Sequence, residues 1–192
     1  MTGDGLSRCD WAARGPELMV DYHDREWGRP LRGRTQLFER ISLEAFQSGL
    51  SWLVILRKRE SFRRAFDGFD IDTVAAYTDR DADRLMADTG IVRNRAKIEA
   101  TIANARAVAA LDTDLCELLW SFAPPPRPRP ATMAEVPSQT PESAALAREL
   151  RRRGFRFVGP TTAYALMQAT GMVDDHVRDC FVPLAATAGF TP

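Results

Sequence analysis

What most limits this chain's folding is where its glycines and prolines stand. They fall at the ends of apolar segments with helical spacing, and no stretch sustains the alternation that a strand needs. Such a pattern can bury its apolar surface only by packing helix on helix, so the expected fold class is all-α. Pro16 occupies a first helical position, and Gly28 closes the segment that runs through Trp27. Residues 35–47 carry Leu37, Ile41, Leu43 or Glu44, and Phe46 or Gln47 at helical spacing. After Gly49, residues 52–66 set Leu53, Leu56, Phe62 and Phe66 among basic residues. Thr78 with Asp81 signals the start of a helix over 79–88, closed by Gly90. Residues 94–111 are Ala-rich and strongly helix-forming, and 115–122 predict a short helix. Thr140 and Pro141 open a helix that Gly154 stops. Pro160 opens a last one, ending near Gly171.

Seven of the 12 prolines lie between Pro124 and Pro141, so 123–141 reads as an extended, polyproline-like connector. The flanking halves share one helical style, and a single domain over 1–192 is expected. Lys plus Arg is 26 and Asp plus Glu is 26. That balance excludes nucleic-acid binding by overall charge but leaves local basic faces. No apolar run approaches the roughly 18 residues of a membrane span, and the polar start (Met1 to Arg8) lacks a signal peptide's apolar stretch. Three cysteines do not make a disulfide framework. A cytoplasmic chain with no membrane partner is expected.

Five constellations could carry chemistry. Cys9 and His23, with His176 and Cys180 one helical turn apart, supply two thiolates and two imidazoles. Either they close a tetrahedral structural zinc site joining the two chain ends, with Cys116 left over, or all four are ordinary buried or surface residues. Glu44 lies between Leu43 and Phe46, just before Gly49 and Trp52. It is either solvated at a helix rim or buried to meet a hydrogen-bonding or cationic ligand. Trp11, Tyr22 and Trp27 crowd around His23, as core or as stacking walls for a planar ligand. Basic clusters (Arg57, Lys58, Arg59, Arg63, Arg64; Arg93, Arg95, Lys97; Arg151, Arg152, Arg153, Arg156) stand apart from an aspartate-rich stretch over 67–88. They are solvated faces or a phosphate track. Finally, Gly154, Phe157, Gly159, Thr161 and Thr162 span a turn between two helices. Its glycines allow close backbone approach, and the amides opening the second helix suit a phosphate.

Taken in order along nearly the whole chain, these segments resemble the DNA-3-methyladenine glycosylase I family, a branch of the helix-hairpin-helix DNA glycosylases. The resemblance runs through Arg8-Cys9-Asp10-Trp11, the run 21–28, the Glu44 to Trp52 segment, Trp120-Ser121-Phe122, the run 152–159 and Asp175-His176. It implies that Cys9, His23, His176 and Cys180 hold a structural zinc ion. It further implies that Glu44 is the carboxylate of a base pocket, Tyr22 the pocket tyrosine and Trp52 the ring that stacks on an extruded base. Trp11 and Trp27 match aromatic positions of the same region as pocket walls. Gly154, Phe157, Gly159, Thr161 and Thr162 correspond to the hairpin that grips the DNA backbone.

The activity so implied is excision of 3-methyladenine from alkylated double-stranded DNA, by a monomer. Thr161 stands where bifunctional relatives carry a Schiff-base lysine, so lyase activity is not expected. Two departures stand out. Asp174 replaces the asparagine of much of the family and could stabilise the oxocarbenium ion or position water. Ala45 stands beside Glu44 where many members have glycine, which narrows the pocket. Two rival readings remain: a noncatalytic DNA-binding module, and a helical enzyme for a small cationic or nucleotide-like ligand. The first requires none of Glu44, Tyr22 and Trp52; the second requires no DNA.

Overall fold

The computed structural model describes residues 5–183. The first residues of the polar start (1–4) and most of the tail (184–192) lie outside the described residues. Among the described residues there are ten α-helices and no strand: α1 Asp10–Ala13, α2 Glu17–Arg25, α3 Arg34–Gln47, α4 Trp52–Ala65, α5 Ile71–Ala75, α6 Asp79–Ala87, α7 Arg95–Ala109, α8 Leu115–Trp120, α9 Pro141–Arg152 and α10 Pro160–Ala169. The all-α expectation holds, and no helix is long and apolar enough to cross a membrane.

The caps explain the boundaries. The Thr78 amide donates to Asp81 Oδ2 at 2.9 Å, and Thr140 Oγ1 accepts from the Ser143 amide at 3.2 Å. Helix α2 stops at Arg25, short of the expected Trp27, because the Trp27 amide bonds back to the Tyr22 carbonyl in a widened last turn. Gly28 then reverses the chain at φ 74°; a Cβ there would lie 2.6 Å from His176 Cε1. Helices α1 and α5 were not expected, for at four and five residues neither repeats an apolar face. Between α8 and α9 the connector forms no α-helix and no strand, and contains a single 3₁₀ turn at Met133–Glu135.

Two apolar cores form. The larger runs from α3 to α10 around Phe38, Phe46, Phe62, Phe66 and Phe69, all fully buried. Each such side chain contributes about 1.5–3 kcal/mol by leaving water. The smaller gathers Cys9, Tyr22, Trp27, Leu56, Ala169, Cys180 and Val182. Trp52, the first residue of α4, packs against both. Gly171 (φ 73°) lets the end of α10 pass within contact of the 28–30 backbone, where a Cβ would sit 2.7 Å from Arg29 C and Pro30 N. This crossing brings the 174–180 segment against the N-terminal helices.

Candidate base pocket and metal cluster

Two neighbouring groups of side chains emerge from this packing. In the first, α3 presents Arg40 and Glu44 one turn apart, α2 presents Tyr22, and the turn after Gly49 delivers Trp52. The Tyr22 and Trp52 ring centroids are 5.3 Å apart. Glu44 is 5% exposed and forms no hydrogen bond with another described residue. Burial pushes its carboxyl up to about 7, against the opposing pull of Arg40. Burial likewise pushes the Tyr22 hydroxyl upward. The Trp52 indole N–H is buried without a partner. A buried carboxylate and a buried N–H that no described side chain or backbone group satisfies leave polar capacity for water or a polar ligand.

Arg40 was not foreseen. Its Nη1 donates to the Tyr22 hydroxyl at 3.0 Å, and its Cζ lies 5.3 Å from the centroids of both the Tyr22 and Trp52 rings. The signal was present in the sequence: Arg40 precedes Glu44 by one helical turn within the run 37–46, which also carries Leu37, Phe38, Ile41, Leu43 and Phe46. Lys97 was also missed as a pocket support. From α7 its Nζ donates to the carbonyls of Phe46 (2.8 Å) and Ser48 (2.5 Å), fixing the turn that leads into Trp52.

In the second group, Cys9 Sγ, a nitrogen of His23 and Cys180 Sγ lie within 4.8 Å of one another, all buried. His23 Nε2 is 3.5 Å from Cys180 Sγ, and its Nδ1 faces Asp24 Oδ1 at 2.8 Å. His176 is not part of that triad, but its ring centroid is 5.1 Å from that of His23. Its Nδ1 faces Asp174 Oδ1 at 2.8 Å, which leaves Nε2 buried and without a partner. Each histidine thus has a carboxylate on Nδ1, and each carboxylate is gripped by an arginine through two nitrogens: Asp24 by Arg8 and Asp174 by Arg129. The hydrogen bond from Cys9 brings Cys180 down to about 4 and raises Cys9 itself. Two soft sulfurs, two oriented imidazoles and an orphaned ring nitrogen are the donor chemistry of a closed metal site.

The remaining expected residues fall as follows. Trp27 packs on His176 (4.6 Å between centroids) and stacks with His23, so it walls the metal cluster and has no ring contact with Trp52. Trp11 stands between the groups, 5.2 Å from His23 and 6.3 Å from Tyr22. Asp174 gives Oδ2 to Arg129 and Oδ1 to His176; it belongs to the metal cluster and does not join Glu44, Tyr22 and Trp52. Cys116 is half-buried against the larger core.

Gly154 (φ 93°) and Phe157 (φ 57°) lie in the turn between α9 and α10, and the Phe157 ring is 45% exposed. A phenylalanine held in the left-handed region without burying its ring is strain retained for something other than packing. Asn104 of α7 pins this turn, accepting from the Arg156 amide (2.7 Å) and donating to its carbonyl (3.1 Å). The first amide bonded back is Ala163 to Gly159, which leaves those of Thr161 and Thr162 ahead of it. Several basic residues are spent on ion pairs, Arg59 with Glu26 and Arg153 with Asp112 among them, whereas Arg57, Arg93, Arg151 and Arg156 have no ion pair with a described residue. A separate open surface cleft of about 260 Å³, lined by Tyr77, Glu99, Arg106 and Arg156 among others, contains none of the pocket or metal residues.

Comparison with known proteins bears on these groups. The methyladenine glycosylase family matches residues 11–183. DNA-3-methyladenine glycosylase 1 of Escherichia coli (strain K12) is 44% identical over 180 residues, covering 91% of this chain and 96% of that protein. DNA-3-methyladenine glycosylase of Haemophilus influenzae is 43% identical over 182 residues, with the same coverage. A crystal structure of a 3-methyladenine DNA glycosylase I superposes with a TM-score of 0.88 at 45% identity, covering 91% of this chain and 98% of that one. The Staphylococcus aureus enzyme, solved to explain 3-methyladenine recognition, gives 0.86 at 32% identity, with 93% and 97% covered. An all-helical chain matched over this length at this identity belongs to the methyladenine glycosylase family.

Proposed function

We propose that this chain is a monofunctional DNA glycosylase of the helix-hairpin-helix type, which extrudes 3-methyladenine from alkylated double-stranded DNA and hydrolyses its N-glycosidic bond. The observation that carries this reading is Glu44: a carboxylate buried near Tyr22, one turn from the Arg40 that touches Tyr22 and Trp52, with no hydrogen bond to another described residue. The names of the relatives point to the same substrate.

Extrusion is cheapest for a damaged, poorly paired base. Methylation at N3 places positive charge on the ring and weakens the bond to the sugar. In the pocket the base stacks on Trp52, worth about 1–3 kcal/mol. Glu44 accepts from its exocyclic amine, worth about 1.5–3 kcal/mol for a charged acceptor. Neutral adenine gains less and strands the carboxylate. As the C1′–N9 bond breaks, its electron pair returns to the base, which departs neutral. Water adds to C1′ and loses its proton to solvent, leaving an abasic site. Trp11 borders the pocket; Trp27 supports it through the histidines. Leu50, 41% exposed two residues before Trp52, has no core to fill and suits the gap that the extruded base leaves.

Gly154, Phe157, Gly159, Thr161 and Thr162 form the hairpin that holds the DNA backbone, with the amides of Thr161 and Thr162 facing a phosphate. Thr161 offers no amine for a Schiff base, so no strand nicking follows. Cys9, His23, His176 and Cys180 would hold zinc, whose contribution is to tie the two chain ends together rather than to activate water. Asp174 orients His176 and takes no part in bond breaking. We assign the protein a monomeric, cytoplasmic role as a single domain. Incubation with methylated duplex DNA tests the reading. Free 3-methyladenine is expected, lost in Glu44→Ala while the metal content is kept; release of other bases only, or none, would overturn it.

A further inference from the structure

A cavity meant for a positively charged base should not contain a cation of its own, yet Arg40 is there. It is 8% exposed, donates to the Tyr22 hydroxyl at 3.0 Å, and lies equally close to the Tyr22 and Trp52 rings. A buried guanidinium is costly to hold in such a place unless its charge and donors are used. Its surroundings use them. Just past the end of α2, Glu26 stands 3.5 Å from Nη2, and is itself clamped by Arg59 of α4 at 2.5 and 2.8 Å. On its own helix, Glu39 and Glu44 add negative charge. The charged or titratable groups acting on Glu44 are Arg40 on its own helix and Tyr22 of α2; the wall from α4 is the uncharged Trp52.

Donation by Arg40 also fixes the sense of the Tyr22 hydroxyl. With one lone pair taken by Nη1, and no other partner among the described residues, its O–H proton is left to donate. The pocket therefore presents two donors, Tyr22 O–H and Trp52 N–H, and one acceptor, Glu44. Its net charge is balanced internally.

We propose that Arg40 is a positioning residue of the base pocket: a resident guanidinium, one turn from Glu44 on α3, that offsets the charge of that carboxylate and leaves the Tyr22 hydroxyl to act as a donor. This deepens the function proposed above and rests on that reading of the pocket. It follows that the pocket recognises a base by matching donors and acceptors around a balanced charge, not by attraction to a bare anion.

The test compares wild type with Arg40→Met and Arg40→Lys in two measurements. The first is the pH profile of 3-methyladenine release from methylated duplex DNA. The second is direct titration of Glu44, by carbon NMR of protein with labelled glutamate side chains and no DNA. In Arg40→Met the Glu44 titration moves up by about one pH unit or more. The acidic limb of the release profile moves with it, so the variant's deficit grows about tenfold per pH unit from its own midpoint down to that of wild type and stays constant below. Arg40→Lys restores charge and returns the midpoint toward wild type, but not the bond to Tyr22. Loss of release at all pH values with an unmoved Glu44 midpoint would reduce Arg40 to a packing role and overturn the proposal. If wild type releases no base, the proposed function fails, while the NMR comparison still decides whether Arg40 governs Glu44.

Discussion

Glutamine at position 44 separates function from stability. Glu44 sits at about 7 rather than its ordinary 4.5 because burial penalises the carboxylate. Its folded value is raised, so the folded state holds its proton more tightly than the unfolded chain does. Stability is therefore full below pH 4.5 and declines as pH rises from there to about 7. At 1.36 kcal/mol per pH unit, the loss above pH 7 is about 3 kcal/mol. Glu44→Gln cannot ionise and escapes this loss. Urea unfolding of both proteins should show the variant more stable by about 3 kcal/mol at pH 8, and by under about 1 kcal/mol at pH 5, with the same m-value. Base excision should fall by about 10- to 150-fold, the equivalent of one charge-assisted hydrogen bond. A variant less stable than wild type at pH 8, or a difference that does not change with pH, would refute a buried carboxylate held at a cost for the sake of its ligand.

Other outcomes follow from the same geometry. Trp52→Ala should cost about 5- to 150-fold in excision through lost stacking, read from single-turnover release. Asp174→Ala should weaken zinc binding by about 10- to 100-fold in competition with a chromophoric chelator, since His176 loses its orienting partner; unchanged affinity would contradict the pairing. Phe157→Gly should raise stability by about 1 kcal/mol by relieving the left-handed strain, while weakening binding to abasic duplex DNA. Gly171→Ala should destabilise by more than about 2 kcal/mol, because its Cβ meets the 29–30 backbone at 2.7 Å; a melting temperature within a degree of wild type would rule that crossing out.

Much of this architecture was legible along the chain because local chemistry sets it. Thr78 with Asp81 and Thr140 with Pro141 each act within a few residues, and the helices they open start where the sequence predicts; the helix before Gly28 ends early, at Arg25. Helices α1 and α5 escaped since one turn has no periodicity to read. Around the site, the clustering of Glu44, Tyr22 and Trp52 came from the family resemblance and not from spacing. Arg40 could have been found by asking what accompanies a buried glutamate one turn away. Arg129 could not: its bond to Asp174 spans 45 residues and depends on how the proline-rich connector lies. The two arginines of that connector, Arg127 and Arg129, turn inward to Asp175 and Asp174. Similarly, Cys180 meets His23 across 157 residues, a contact that only the Gly171 crossing explains.

The most direct measurement is a crystal structure of the zinc-loaded protein with abasic duplex DNA and free 3-methyladenine. The base should lie against the Trp52 indole, with its exocyclic amine about 3 Å from a Glu44 oxygen. A base bound elsewhere, or an indole and carboxylate left unfilled while the base is held by other residues, would contradict the assignment.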